Sequence, residues 1–249
     1  MSAVRTAVKV AAFPAGIMAN REHSDVVVLL YHRIGTGSSQ IETSPTSFDR
    51  QMAWLGGTGR VRSLDQVLRG SGGVVVSFDD GTRDFVETAM PILIHHGIPA
   101  ALYLATGEVG GAGPSWAALR DAVATDLITI GSHTHDHVDL SRAEPKSAYA
   151  QMRLSKELIE RHLGVACRDF AYPFAVGSSA AEAIARRLFR SSVVDAWRTN
   201  RRPFDPHRIG RVPILRDDGF AFFRAKARGR LDAEGVAYRV ARRGPWRSG

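Results

Sequence analysis

The sequence predicts an α/β fold, an incomplete or distorted (β/α) barrel with six or seven parallel strands. Apolar, β-rich runs such as 25–31 and 74–78 are typical of strands buried on both faces. Segments with helical spacing alternate with these runs, and alternation of this kind is typical of βα units around a parallel sheet. An open or incomplete barrel and a doubly wound sheet both fit the pattern. In either fold, catalytic groups gather at the carboxyl ends of the strands.

Each element has its own local signal. The predicted strands are 25–31, 74–78, 98–105, 126–131, 167–173 and 207–215, and the predicted helices are 83–97, 114–124, 144–164, 178–189 and 218–229. Helix 144–164 is the clearest, because small or apolar residues recur on one face and Gly164 follows the last turn. Pro91 predicts a kink or a late start in helix 83–97. The polar segment 35–47 is interpreted as a surface loop.

The length of 249 residues suits one domain or at most two. We predict a loosely ordered lead-in at 1–24, a catalytic domain at 25–230 and a basic tail at 231–249. Pro14 and Gly16 interrupt the short apolar stretch near the start, which disfavours a cleaved signal peptide. We therefore expect a cytoplasmic protein rather than an exported one.

The charge and the single cysteine narrow the function classes. The net charge is +8, and residues 216–249 hold nine Arg or Lys against four Asp or Glu. We interpret this excess as a solvated basic tail and expect no nucleic-acid partner, since no aromatic-interleaved RNA motif or zinc-finger spacing accompanies it. Cys167 alone cannot form an intrachain disulfide or a Cys-x-x-Cys zinc site. No run of 18 apolar residues exists, so we expect no membrane span.

Polar or aromatic residues follow four of the predicted strands directly. They are His32, the pair Asp79 and Asp80, the cluster His133, His135 and His137, and the run Tyr172, Pro173 and Phe174. If the sheet is parallel, all four groups meet at one rim. Two adjacent carboxylates repel each other and are costly to desolvate, which favours a metal ion as their positive partner.

The histidine cluster offers the remaining ligands. His133 and His137 lie four residues apart, so a turn or tight loop brings both to one metal and leaves His135 pointing away. Two histidines, one carboxylate and water form a common open catalytic zinc site. Neighbouring residues in an extended chain face opposite ways, so one Asp would bind the metal and the other would lie beside the water. A metal-free histidine-rich loop and an Asp pair that only caps the turn are the alternatives.

Three stretches resemble the motifs of a known family. The sequences VVVSFDDGTRD, IGSHTHDHVDLS and FAYPF are similar to the first three motifs of the polysaccharide deacetylases, the NodB-homology or carbohydrate esterase 4 family. The resemblance covers about residues 25–215. It implies an incomplete (β/α) barrel and the removal of N-acetyl groups from an amino sugar or glycan. It also fits an exported enzyme.

The resemblance implies roles for individual residues. Asp79 would be the general base, and Asp80, His133 and His137 would bind a divalent metal, Zn²⁺ or alternatively Co²⁺ or Ni²⁺. The sequence LLYHRIG resembles the circularly permuted branch that deacetylates poly-N-acetylglucosamine, in which the acid histidine comes first. That order makes His32 the general acid, and a structural histidine is the alternative.

Substrate contacts are predicted from position alone. Tyr172, Pro173 and Phe174 follow a strand, and with Trp116 they form the predicted substrate-binding set. The aromatic rings could stack on a sugar, and core packing is the alternative for each.

Two departures from the family pattern leave other functions open. Ala171 stands where the third motif usually has an arginine, so we expect no arginine beside Asp79. No histidine follows Ile209, and His207 would be a weak substitute for the late acid. A catalytically degenerate glycan-binding domain is therefore one alternative. A hydrolase of a non-carbohydrate amide C–N bond on the same fold is another.

Overall fold

The computed structural model of the protein describes residues 25–230, which form a barrel of parallel strands surrounded by helices. The strands are β1 Val26–Tyr31, β2 Arg33–Ile34, β3 Glu42–Thr43, β4 Gly73–Phe78, β5 Ala100–Leu104, β6 Ile128–Ser132, β7 Asp169–Ala171, β8 Ser191–Asp195 and β9 Ile209–Pro213. The helices are α1 Pro45–Gly56, α2 Leu64–Leu68, α3 Met90–His95, α4 Trp116–Val123, α5 Pro145–Leu163, α6 Ser179–Leu188 and α7 Phe220–Ala227.

Seven strands close the barrel in the order β1, β4, β5, β6, β7, β8, β9, and β9 pairs back with β1. All of these pairs are parallel. Because the strands are parallel, their carboxyl ends share one rim, and the loops that follow them meet there. The predicted barrel is therefore confirmed, with seven strands rather than the eight of a complete (β/α)₈ barrel.

The strands are buried on both faces. Val26 and Val28 of β1 pack with Val75 and Tyr103 in one cluster, whereas the alternate residue Val27 joins the larger cluster that includes the helices. Side chains alternate across a strand, so one face fills the barrel and the other holds the helical layer. This double burial explains why β1 and β4 are continuous apolar runs.

Several elements were not predicted. Strand β8 was missed, because Ser191 and Ser192 shorten its apolar run. The segment 35–47 is not wholly a loop, since β3 pairs with β2 and α1 begins inside it. Ser44 caps α1 by accepting a hydrogen bond from the backbone N–H of Ser47.

The irregularity expected at Pro91 is present. A π-helical turn over Phe85–Ala89 precedes α3, and Pro91 lies in the first turn of α3, where its missing N–H is tolerated. Within residues 25–230, none of the helices combines the length and apolar character needed to cross a bilayer. The predictions for 1–24 and 231–249 lie outside the described residues.

Candidate metal centre and active site

The acidic pair sits on a tight turn after β4. Asp79 is 3% exposed, and its backbone N–H donates to the carbonyl of Tyr31 at 3.1 Å. Asp80 has a φ of 69°, in the left-handed region that Asp tolerates better than most residues. Gly81 has a φ of 75°, and a Cβ there would lie 2.3 Å from Leu104 Cδ1. The turn therefore requires glycine and directs the two carboxylates to different neighbours.

The histidine loop follows β6 at the same rim. The backbone N–H of His133 donates to the Leu104 carbonyl at 2.9 Å, which ties the loop to the end of β5. His135 turns aside, and its Nδ1 lies 2.9 Å from Thr106 Oγ1. His133 and His137 face each other with ring centroids 4.9 Å apart.

The ligand atoms of Asp80, His133 and His137 lie within 4.8 Å of one another. Asp80 Oδ1 is 3.6 Å from His133 Nε2 and 3.3 Å from His137 Nε2. Two imidazoles and one carboxylate are the donor set of an open zinc site, with space left for water and substrate. These residues therefore fit a divalent ion.

A backbone contact orients His133 for this task. Its Nδ1 donates to the Ala171 carbonyl at 2.8 Å, since a carbonyl oxygen can only accept. That bond leaves the lone pair on Nε2, which points toward the acidic pair. Contacts of this kind fix the tautomer of metal-binding histidines.

The protonation states of Asp80 and His133 also suit ligation. Burial raises the pKa of Asp80, but the hydrogen bond from His137 and the charges of His133 and His32 outweigh it and lower the pKa to about 2. Burial lowers the pKa of His133, and the nearby carboxylates only partly oppose this shift. At neutral pH the carboxylate is ionised and His133 is neutral, which are the forms that bind metals.

Arg211 corrects the expectation that no arginine accompanies Asp79. It projects from β9, is fully buried, and forms a two-pronged contact with Asp79: Nη1 to Oδ1 at 2.5 Å and Nη2 to Oδ2 at 2.6 Å. Burial raises the pKa of Asp79, but the charge of Arg211 leads the interactions that outweigh it, and the net pKa is lowered. The arginine absent from position 171 is thus supplied by another strand.

Asp195 and His32 complete the rim. Asp195 ends β8 and accepts from Arg211 Nη2 at 3.0 Å, and burial raises its pKa despite the charge of Arg211. His32 is half-buried, and its charge acts on Asp79, Asp80 and Asp195 alike. The sequence signal for Asp195 was the same strand-end position that identified Asp79, but β8 was not recognised as a strand.

The predicted substrate-binding residues divide into exposed and packed groups. Phe174 is 63% exposed, and its ring lies edge-on to His137 with centroids 4.6 Å apart. Tyr172 is buried against Phe170, and Pro173 is buried beside it. Trp116 stacks on His162 at the end of α5, with centroids 4.4 Å apart. Phe174 alone of the four borders the histidine pair, and the sugar contacts of the other three stay predictions.

The chain matches known proteins across this region. Residues 69–189 match the family model described as polysaccharide deacetylase. The Bacillus subtilis (strain 168) protein YxkH, whose name assigns it to the polysaccharide deacetylases, is 27% identical over 155 residues. That match covers 59% of this chain and 55% of YxkH, so the chain spans about half the length of this relative.

Two solved structures share the fold. IcaB from Ammonifex degensii superposes with a TM-score of 0.73 and 26% identity, over 84% of this chain and 97% of IcaB. The Streptococcus pyogenes deacetylase PplD, solved in complex with acetate, superposes with a TM-score of 0.73 and 23% identity. That superposition covers 79% of this chain and 95% of PplD.

Proposed function

This chain belongs to the polysaccharide deacetylase family, and from that premise we propose that it is a metal-dependent hydrolase that removes N-acetyl groups from an amino sugar or glycan. The single observation that carries the proposal is the contact of Asp80 with His133 and His137 beside a second, differently paired carboxylate. A site with one carboxylate for an ion and one for a proton suits hydrolysis.

We propose that Asp80, His133 and His137 hold the divalent ion. A borderline ion such as Zn²⁺ accepts two imidazoles and one carboxylate, and Co²⁺ or Ni²⁺ accepts the same set. When bound, the ion would lower the pKa of a water molecule and polarise the acetyl carbonyl.

Asp79 is the proposed general base. Its Oδ2 lies 3.9 Å from His133 Nε2, so it borders the ligand cluster without belonging to it. The paired guanidinium of Arg211 keeps this carboxylate ionised and fixes its orientation, and both properties favour removal of a proton from the attacking water.

His32 is the proposed general acid. An amine leaves poorly unless it is protonated, so amide cleavage needs a proton donor at the nitrogen, whereas many esters do not. His32 directly follows β1 and Asp195 ends β8, so both residues lie at the rim that carries Asp79 and Asp80. A site with this donor is suited to an N-acetyl group.

The glycan side of the proposal rests on the family and on Phe174. An exposed aromatic ring at the mouth of a polar site is suited to one face of a pyranose ring. The alternative of a degenerate glycan-binding domain depended on a missing arginine and a missing late histidine. Arg211 supplies an arginine beside Asp79, and His32 is the proposed replacement for the late histidine.

The test uses the purified chain with Zn²⁺ and acetylated glucosamine oligomers. We expect acetate release that depends on the metal. Asp79→Asn should keep the metal and lose activity by about 10²–10⁴-fold, while His133→Ala should lose the metal. If both variants remain fully active, the site assignment is wrong.

A further inference from the structure

The loop that joins the two histidines, residues 133–137, contains strained backbone. Thr134 has a φ of 66° and His137 a φ of 52°, both in the left-handed region. Thr134 is β-branched, for which this region is a genuine outlier. Such residues persist only where the surrounding structure imposes them. What holds this loop therefore governs how well His133 and His137 are prearranged.

The segment that follows β5 holds one side of the loop. The N–H of Thr106 donates to the Thr134 carbonyl at 3.3 Å, and the N–H of Gly107 donates to the His135 carbonyl at 2.8 Å. A Cβ at Gly107 would lie 2.9 Å from that carbonyl oxygen, so the two backbones approach closely. These bonds satisfy loop carbonyls and leave the N–H groups of residues 135 and 136 to another partner.

Gln151 on α5 is that partner. Its Oε1 accepts from the N–H of His135 at 3.2 Å and from the N–H of Asp136 at 2.8 Å. Its Nε2 then donates to Asp136 Oδ2 at 2.7 Å. One amide side chain thus accepts from two successive backbone N–H groups and also holds the Asp136 carboxylate. It acts at the middle of the segment that joins the two histidines.

We propose that Gln151 is a positioning residue for the metal site, which sets metal affinity by holding loop 133–137 in its strained conformation before the ion binds. This inference rests on the proposed metal-binding role of Asp80, His133 and His137. Within residues 25–230, Gln151 makes no hydrogen bond to the side chain of Asp80, His133 or His137, and its bonds to residues 135 and 136 act on the ligands through the backbone. Partners of this kind are worth about 10–100-fold in metal affinity.

The first measurement is the Zn²⁺ dissociation constant, obtained by competition with a chromophoric chelator. We expect Gln151→Ala to weaken Zn²⁺ binding by about 10–100-fold. In the metal-free protein, the amide hydrogens of His135 and Asp136 should exchange with deuterium faster than in the parent protein. The exchange measurement needs no metal and no turnover.

A paired substitution tests the geometry. Gln151→Glu keeps an acceptor for the two N–H groups but sets a second carboxylate against Asp136, so affinity should fall. Adding Asp136→Asn should restore it, because the introduced amide can donate to the introduced carboxylate. Gln66→Ala is the matched control: Gln66 Oε1 also accepts a backbone N–H, from Ser63 at 2.9 Å, but on α2. Gln66→Ala should change neither zinc affinity nor exchange at residues 135 and 136.

The outcomes separate this inference from the proposed function. If the parent protein binds none of Zn²⁺, Co²⁺ and Ni²⁺, both are overturned. If the parent binds Zn²⁺ and Gln151→Ala binds it equally well with unchanged amide exchange, the positioning role alone is overturned. The positioning role would also be contradicted if the Gln151→Glu and Asp136→Asn double variant bound Zn²⁺ as weakly as Gln151→Glu alone.

Discussion

The guanidinium of Arg211 and the carboxylate of Asp79 form a fully buried, two-pronged ion pair across the top of the barrel, joining β9 to the turn after β4. Neither group is accessible enough for water to replace its partner. Burial of either charge alone would be very costly, so each residue makes the other tolerable in the interior. The pair is at once part of the packing of the fold and part of the proposed chemistry.

The first prediction concerns loss of the guanidinium. Arg211→Met should lower the free energy of unfolding by about 3–5 kcal/mol, because it leaves Asp79 buried without a partner. Activity should also fall, since the pKa of Asp79 would rise and the base would be protonated more often. Urea unfolding and acetate release measure the two effects.

A double variant separates stability from catalysis. Arg211→Met combined with Asp79→Asn removes both charges of the pair and should recover part of the lost stability while remaining inactive. The recovery is incomplete, because Asp195 still loses its hydrogen bond from Arg211. If Arg211→Met alone unfolds at the same urea concentration as the parent protein, the buried ion pair does not stabilise the fold.

Asp80, His133 and His137 could be predicted because each follows an apolar run that folds as a strand, and parallel strands bring such positions together. Arg211 could not be recognised by that rule, because it lies inside a strand. The available signal was its position as a charged residue in the largely apolar stretch RIGRVPIL. A charged residue that is buried in such a strand needs a partner of opposite charge.

The left-handed backbone conformations at the site could not be predicted from the sequence either. Asp80 and His137 adopt left-handed conformations, which Asp and His tolerate better than most residues, and Thr134 adopts one that its branched side chain disfavours. Contacts from other strands and helices hold these residues there. Gln151 lies within the predicted helix 144–164, and nothing in the sequence distinguishes it from the other polar residues of that helix. Its contact with loop 133–137 depends on how α5 packs, which periodicity does not specify.

The second prediction tests His32 as the acid. His32→Ala should reduce deacetylation by about 10²–10⁴-fold without loss of metal. Hydrolysis of an aryl acetate should be much less affected, since a phenolate with a low pKa leaves without a proton. Steady-state rates on both substrates, with the zinc content of each sample, provide the measurement.

His207 provides the control for this experiment. It precedes β9 at the amino end of the strand, and its Nδ1 lies 3.1 Å from Ser192 Oγ. His207→Gln should therefore leave both rates near those of the parent protein. An inactive His207→Gln variant beside a fully active His32→Ala variant would reverse the assignment.

The third prediction concerns Phe174, whose φ of 56° is strained for a side chain of this size. Phe174→Gly should relieve about 1 kcal/mol of that strain and remove the exposed ring. We therefore expect a slightly more stable protein. Its KM should rise by about tenfold, because the substrate loses about 1.4 kcal/mol of contact with the ring. Phe174→Ala removes the ring but keeps the strain, so it should raise KM equally without the gain in stability. An unchanged KM in both variants would exclude the ring from substrate binding.

The fourth prediction concerns pH and the carboxylate of Glu182 on α6. Glu182 accepts from Arg208 Nη2 and Arg186 Nη2, each at 2.7 Å. The hydrogen bond from Arg208, supported by Arg186, lowers the pKa of Glu182 below its usual value. A carboxyl group with a depressed pKa in the folded state stabilises the fold above its unfolded pKa of about 4.3. That contribution is lost as the pH falls through the lower, folded value.

Glu182→Gln should therefore lower the free energy of unfolding by about 1–2 kcal/mol at pH 7, since both arginines are partly solvated. The difference from the parent protein should shrink below about pH 4 as the parent's own carboxylate is protonated. Urea unfolding at several pH values measures it. Glu157→Gln is the control, because Glu157 pairs with Arg153 on an exposed helix face and should contribute under about 0.5 kcal/mol at any pH. A pH-independent difference for Glu182→Gln would mean that lost packing, rather than the charge, accounts for the effect.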